Sequence, residues 1–202
     1  LAAIKIDSPK ISQNQIAVIP IMGTLSSSSL GFSPLTSSVT NTDDILDSLE
    51  KANSNKNVKA IILEINSPGG TVVASKEVAE AVAKSKKPTV AFIREIGTSG
   101  AYWVASSADY IIADELSITG SIGVLSSYLD FSGFLQEHNV NYQELTAGKY
   151  KELGSPFKEL TSEEEIIMKD KLVKIQNVFI REIQTKRKLN NIEDIRTGKF
   201  YL

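Results

Sequence analysis

The chain has 202 residues, 42% hydrophobic and 23% charged, with a net charge of −2. That is enough for one sizeable globular domain or two small ones, and the charge excludes a basic nucleic-acid surface. No cysteine is present, which excludes disulfides, thiol catalysis and Cys-ligated metals, and a single histidine excludes a His-cluster metal site. No segment reaches the roughly 18 apolar residues that a membrane span needs. The first residue is Leu1 rather than an initiator methionine, and the expectation is that an N-terminal targeting or anchoring segment has been removed.

Residues 15–22 (QIAVIPIM) read as a buried strand, and the Ser-rich stretch 23–38 as a surface loop. Thr42 is placed to cap a helix running to about Ala52, with Ile45, Leu49 and Ala52 on one face. Residues 58–65 (VKAIILEI) form a near-continuous apolar run ended by Asn66-Ser67-Pro68-Gly69-Gly70. Such a run suits a strand buried on both faces of a parallel sheet. Between Val72 and Lys84 the residues Ala74, Val78, Ala81 and Val82 recur at helical spacing. Pro88 separates that helix from a strand at 89–93 (TVAFI), which makes a βαβ crossover.

After Ser99, residues 100–108 (GAYWVASSA) read as a short buried helix and 109–114 (DYIIAD) as a strand. The glycine-punctuated 117–125 leads into more strand, 129–138 reads as helix, and 142–147 as extended chain. Thr161 with Glu164 fits a capping box that opens a long helix to about Lys188. Its stripe of Met168, Leu172, Ile175, Phe179 and Ile183 is assigned to core rather than to an interface. The alternation predicts a single α/β domain over 1–202 with repeated β-α turns.

Two of those turns carry chemistry. Ser99 stands where a strand hands over to a helix. There a serine acts as an N-cap or, given a base, as a nucleophile beside free backbone N–H groups. Ser67-Pro68-Gly69-Gly70 occupies another such junction, and its glycines suit either a tight turn or a close backbone approach whose N–H groups hold an oxyanion. Carboxyl ends of parallel strands lie together, so the two turns share an edge. His138 lies near the end of a polar-faced helix and reads as a surface residue. A neutral lysine is the other base that activates a serine, and burial must bring its pKa down from about 10.4. Lys149 and Lys151 in TAGKYKELGSP (146–156) are the candidates, and spacing leaves both open.

INSPGG (65–70), TSGAYWVASSADYIIAD (98–114), SITGSIGV (117–124) and AGKYKELGSP (147–156), in that order, resemble the signal peptide peptidase A (protease IV) family of Ser–Lys serine peptidases. The resemblance runs from about residue 15 to the C-terminus. It implies the Clp protease/crotonase-like α/β fold, repeated β-β-α units wound as a superhelix around a mainly parallel sheet. It implies Ser99 as the nucleophile, in the place of the serine in the family's A-S-G-G-Y. Lys151 is then the general base, because it stands four residues before Ser155-Pro156 as the family's lysine does. Lys149 falls where the family need not have a lysine. Ser121 matches the serine that orients the lysine, Gly70 and Gly100 match the oxyanion-hole donors, and Gly69 shapes the turn. Gly100-Ala101 stands in place of the frequent Gly-Gly, which keeps the backbone N–H. The family pattern usually continues past a G-R-V-Y-like segment, whereas here TGKFYL ends the chain.

The resemblance also implies that no metal or cofactor is needed, and that the substrates are cleaved signal peptides and other unfolded apolar segments. It implies membrane attachment through an N-terminal anchor, with catalysis on the extracytoplasmic side. The expected assembly is a ring- or dome-shaped homo-oligomer, such as an octamer, with active sites shared between subunits. Two rivals stand beside it: a crotonase-like acyl-CoA enzyme, which has the glycine-rich turn without a nucleophilic serine, and a non-catalytic scaffold of the same fold. A Clp-type Ser-His-Asp protease is disfavoured because His138 is the single histidine.

Overall fold

The apolar runs become the central strands of one sheet. In the computed structural model, which describes residues 14–27, 39–189 and 192–202, three long strands lie parallel: β1 (Gln15–Ser26), β3 (Val58–Gly70) and β4 (Thr89–Thr98). β2 (Val39–Asn41) adds to the outer side of β1. β5 (Tyr110–Ala113) and β6 (Ile118–Gly120) pair with successive stretches of β4, both parallel to it. β7 (Phe200–Tyr201) closes antiparallel on β6. The crossovers that parallel pairs require are made by α1 (Thr42–Ser54), α2 (Val72–Ala83) and α3 (Gly100–Ser107), followed by α4 (Ser132–Glu137) and α5 (Ser162–Arg187). This is the mainly parallel α/β class expected from the alternation. The Ser-rich loop expected over 23–38 begins later, because β1 runs on to Ser26, and residues 28–38 lie outside the described ones.

The core lies on one face of the sheet. Ile19, Ile21, Leu25, Ile61, Leu63, Ile65, Ala91 and Ile93 are all buried there with Ile45 and Leu49 of α1, Val78 and Val82 of α2, and Val104 of α3. The other face is open among the described residues: Val18 is 55% exposed, Phe92 41% and Ile112 55%. The run 58–65 is therefore not buried on both sides, and Ile62 and Glu64 are only half-buried. The strand expected to be buried at 15–22 likewise exposes Ile16 and Val18. The reason is topological. From β1 to β3 to β4 to β5 each step moves the same way across the sheet, and crossovers of one hand then stack every helix on one side.

Local corrections have local causes. Asn41, not Thr42, caps α1: its side chain accepts the Asp43 N–H at 3.1 Å, while Thr42 is buried as the first helical residue. The capping box of α5 forms as expected, with the Thr161 hydroxyl accepting the Glu164 N–H at 3.2 Å and the Glu164 carboxylate accepting the Thr161 N–H at 3.0 Å. Only the second half of the α5 stripe is core. Phe179 and Ile183 are buried with Ile180, whereas Met168, Leu172 and Ile175 are half-buried. No strand follows β6 before α4, α4 is shorter than the expected 129–138, and 142–147 pairs with no strand among the described residues.

Phe179 stacks on Trp103 with ring centroids 4.4 Å apart, and the Trp103 indole N–H donates to Glu182 at 2.8 Å. Phe179→Ala is expected to destabilise the protein by about 3–5 kcal/mol. Urea unfolding followed by the fluorescence of Trp103, the single tryptophan, measures this. A change below about 1 kcal/mol would show that the stack does not hold α5 in place.

Candidate active site

β3 does not stop before Asn66-Ser67-Pro68-Gly69-Gly70 but runs through it. After an irregularity beyond Met22, Thr24 pairs with Gly69 and Leu25 with Gly70. A Cβ on Gly70 would strike the Leu25 carbonyl. Gly69 holds φ at +105°, and a Cβ there would come within 2.8 Å of the Gly100 nitrogen and 2.9 Å of Ser99 Cβ. Glycine is required at both positions because two backbones meet. The buried Ser67 hydroxyl accepts the Gly69 N–H at 3.1 Å, and Thr98 Oγ1 donates to the Pro68 carbonyl at 3.2 Å. The two turns expected to share a strand edge are thus in direct contact.

Ser99 joins β4 to α3 at φ 51° and ψ −125°. A non-glycine residue in such a region carries about 1–3 kcal/mol of strain and persists only when its surroundings enforce it. They do so here. The Ser99 N–H donates to the Gly120 carbonyl at 2.8 Å, and the Ser99 carbonyl accepts the Trp103 N–H at 3.0 Å. The side chain makes no capping hydrogen bond to α3. Of the two roles open to Ser99 from sequence, capping is therefore not what its hydroxyl does, and the residue stands half-buried at a cleft.

The cleft encloses about 460 Å³. Its polar lining is Gly70, Ser75, Ser99, Gly100 and Ser121, and its apolar lining includes Val72, Trp103, Val124, Leu125 and Phe179. Ser121 also has a left-handed φ, 52°, and its N–H donates to the Lys199 carbonyl at 2.7 Å. The β6–β7 pairing of Gly120 with Phe200 fixes the turn beside it. The structure thus brings together Ser99, Ser121, Gly70 and Gly100, with Gly69 packed against Ser99. No ionisable side chain lines the cleft among the described residues.

Lys151 is not brought to this cleft within the chain. It is exposed, and no hydrogen bond or ion pair engages its amine among the described residues. It sits on an arm, 126–160, whose hydrogen bonds run within the arm and to the first turn of α5. Lys149 is engaged elsewhere. Its amine lies 2.8 Å from both Glu163 carboxylate oxygens, and that hydrogen bond raises its pKa, the wrong direction for a neutral base. His138 is exposed beside the Phe134 carbonyl, away from the cleft, as the sequence suggested. The residue that sequence reasoning missed is Ser75. The available signal was a hydroxyl next to Ala74 on the buried face of α2.

Comparison with known proteins gives the site a family. The model of peptidase family S49 matches residues 81–202, and that of Clp protease matches residues 16–113. A Methanocaldococcus jannaschii protein bearing the name protease is 38% identical over 162 residues, 78% of this chain and 51% of that protein. The chloroplastic serine protease SPPA of Arabidopsis thaliana is 26% identical, covering 94% of this chain and 28% of its own. The chain spans about half the length of the first of these and of an Enterococcus faecium relative named for signal peptide peptidase SppA. Among solved structures, a variant of the membrane-bound stomatin-specific protease 1510-N superposes with a TM-score of 0.57 at 17% identity. It covers 93% of this chain and 70% of its own, and this likeness shows a shared fold.

Gly69→Ala tests the backbone contact. With φ at +105° and a Cβ 2.8 Å from the Gly100 nitrogen, the variant is expected to lose about 1–3 kcal/mol of stability in a denaturant titration. An unchanged unfolding midpoint would contradict the contact.

Proposed function

This chain belongs to peptidase family S49, and we propose that it is a serine peptidase that cuts peptide bonds with a Ser99–Lys151 dyad completed between neighbouring subunits. The observation that carries this reading is the Ser99 hydroxyl: uncapped, on a strained and clamped backbone, beside the contact of Gly69 and Gly70 with Gly100. A neutral Lys151 amine takes the proton from Ser99 Oγ as the oxygen attacks the substrate carbonyl. The N–H groups of Gly70 and Gly100 hold the resulting oxyanion. The lysine then gives its proton to the leaving amine, the peptide bond breaks, and water hydrolyses the acyl-enzyme by the same exchange in reverse. Ser121, in the cleft with Ser99, orients the incoming amine. Membership of a peptidase family speaks against acyl-CoA chemistry, and the uncapped, clamped Ser99 speaks against a scaffold role.

The arm supports sharing of sites between copies. It exposes Leu129, Phe134 and Leu145, the last fully, next to an exposed Leu125 at the cleft. Apolar surface of this kind marks an interface. An arm buried between copies is also the apolar setting in which a lysine amine is neutral. The reading is therefore a homo-oligomer, a ring or dome such as an octamer, in which the arm of one subunit brings Lys151 to the Ser99 of the next. The apolar half of the cleft suits unfolded apolar peptides, cleaved signal peptides among them. No described helix is long and apolar enough to cross a membrane. Action at a membrane is proposed from relatives named for signal peptides and for membrane binding, and the anchor and the extracytoplasmic side from the motif resemblance alone.

Ser99→Ala and Lys151→Ala are each expected to lower turnover of casein or a model peptide by at least about 10³-fold. Lys149→Ala is expected to stay within about twofold, since its exposed ion pair contributes little. Full activity in Lys151→Ala would overturn the dyad. Co-assembled Ser99→Ala and Lys151→Ala subunits are expected to regain part of the activity, because some interfaces then hold one intact pair. No recovery in mixed oligomers of verified composition would contradict shared sites.

A further inference from the structure

One buried polar atom at the cleft lacks a partner among the described residues. Ser75, near the start of α2, is 1% exposed, and its hydroxyl makes no hydrogen bond. Buried hydroxyls are ordinarily bonded, and one left alone is unfavourable by about 1–3 kcal/mol. A serine inside a helix has an easy remedy, which is to donate to a carbonyl one turn back. Ser106 and Ser107 both do this, donating to the Trp103 carbonyl at 2.8 and 3.1 Å. Ser75 does not, although the Thr71 carbonyl stands one turn back and already accepts the Ser75 N–H at 3.0 Å.

The Ser75 hydroxyl instead lies among the backbones of the acyl site. It lies against the point where a side chain on Gly100 would begin, and the Gly70 nitrogen is 3.3 Å from that same point. Ser75 is therefore packed against Gly100, and it lines the same cleft as Gly70 and Ser99. A packing role asks only for a small residue where α2 meets α3. Alanine meets that need, and the hydroxyl is left unexplained.

We propose that the Ser75 hydroxyl is a third hydrogen-bond donor of the acyl site, an inference that rests on the Ser99 reading above. It joins the Gly70 and Gly100 N–H groups on the substrate carbonyl oxygen as that oxygen becomes negative. The hydrogen bond that the Ser75 hydroxyl otherwise lacks is then made in the tetrahedral intermediate. An interaction gained there and absent beforehand accelerates the chemical step without tightening substrate binding.

The test uses the assembled protein and compares wild type with Ser75→Ala. Four quantities are measured: kcat and KM on a peptide substrate, the affinity of a peptide aldehyde, and the affinity of a product peptide acid. The aldehyde adds to Ser99 Oγ to form a hemiacetal whose oxygen needs the same donors. Removing one such donor elsewhere lowers kcat by about 10²–10³-fold. For this third donor the expectation is a loss of about 10–100-fold in kcat and in aldehyde affinity, with KM and product affinity within about twofold. Ser75→Cys, which keeps the volume with a weak donor, is expected to fall likewise. Wild-type kcat and aldehyde affinity in Ser75→Ala would overturn the inference. So would equal losses in aldehyde and product affinity with a lowered unfolding midpoint, the mark of packing. A fluorophosphonate probe located by mass spectrometry separates the two levels. A wild-type adduct on Ser99 keeps the nucleophile assignment whatever Ser75 does, and the lack of one would remove both.

Discussion

The site depends on one backbone-to-backbone contact. The end of β3 is drawn against Leu25 of β1 on one side and against the β4–α3 junction on the other, and neither neighbour leaves room for a side chain at 69 or 70. Everything chemically useful follows from that contact. It brings the Gly70 and Gly100 backbones beside Ser99. The same junction is held from its far side, where Gly120 accepts the Ser99 N–H at 2.8 Å and Ser121 follows in the chain. Three strand ends meet at one point, and the parallel sheet is what lets them point the same way.

The stacking of the helices on one face has a second consequence. Since each crossover steps in the same direction, the core is complete on one side and the opposite face is left apolar and open among the described residues. α5 then covers α3 through Phe179 on Trp103, and both rings line the cleft. The stability of the helical layer and the shape of the cleft thus share two side chains. The half of α5 beyond that contact, with Met168, Leu172 and Ile175 half-buried, leads to the arm that carries Lys151.

Much of this could be read from the chain because local pattern determines it. The apolar runs at 15–22, 58–65 and 89–93 became strands, the helical spacing of Ala74 and Val78 became α2, and Thr161 with Glu164 formed its capping box. The motif turns were found at one edge because parallel topology leaves few alternatives. What escaped was set by distant parts. Which sheet face is covered depends on the direction of successive crossovers, and a run such as VKAIILEI does not encode that. The passage of β3 through its glycines depends on pairing with Leu25, more than forty residues away in sequence. The register of the α1 cap moved by one residue because the Asn41 side chain outcompetes Thr42 for the first N–H groups. Ser75 passed unnoticed because a small polar residue on a buried helix face looks like packing until its hydroxyl is seen without a partner.

Within one chain the constellation is Ser99 beside the Gly70 and Gly100 backbones, the proposed nucleophile and oxyanion donors, without a base. Lys149 is held by Glu163, and Lys151 stands free on an arm rich in exposed apolar side chains. The central claim is that assembly closes this gap. The most direct measurement is an experimental structure of the assembled protein with a peptide aldehyde bound. The account predicts Lys151 Nζ of one subunit within hydrogen-bond reach, about 2.6–3.2 Å, of Ser99 Oγ of its neighbour. Lys151 in solvent at every interface, with a different group beside Ser99 Oγ, would contradict it.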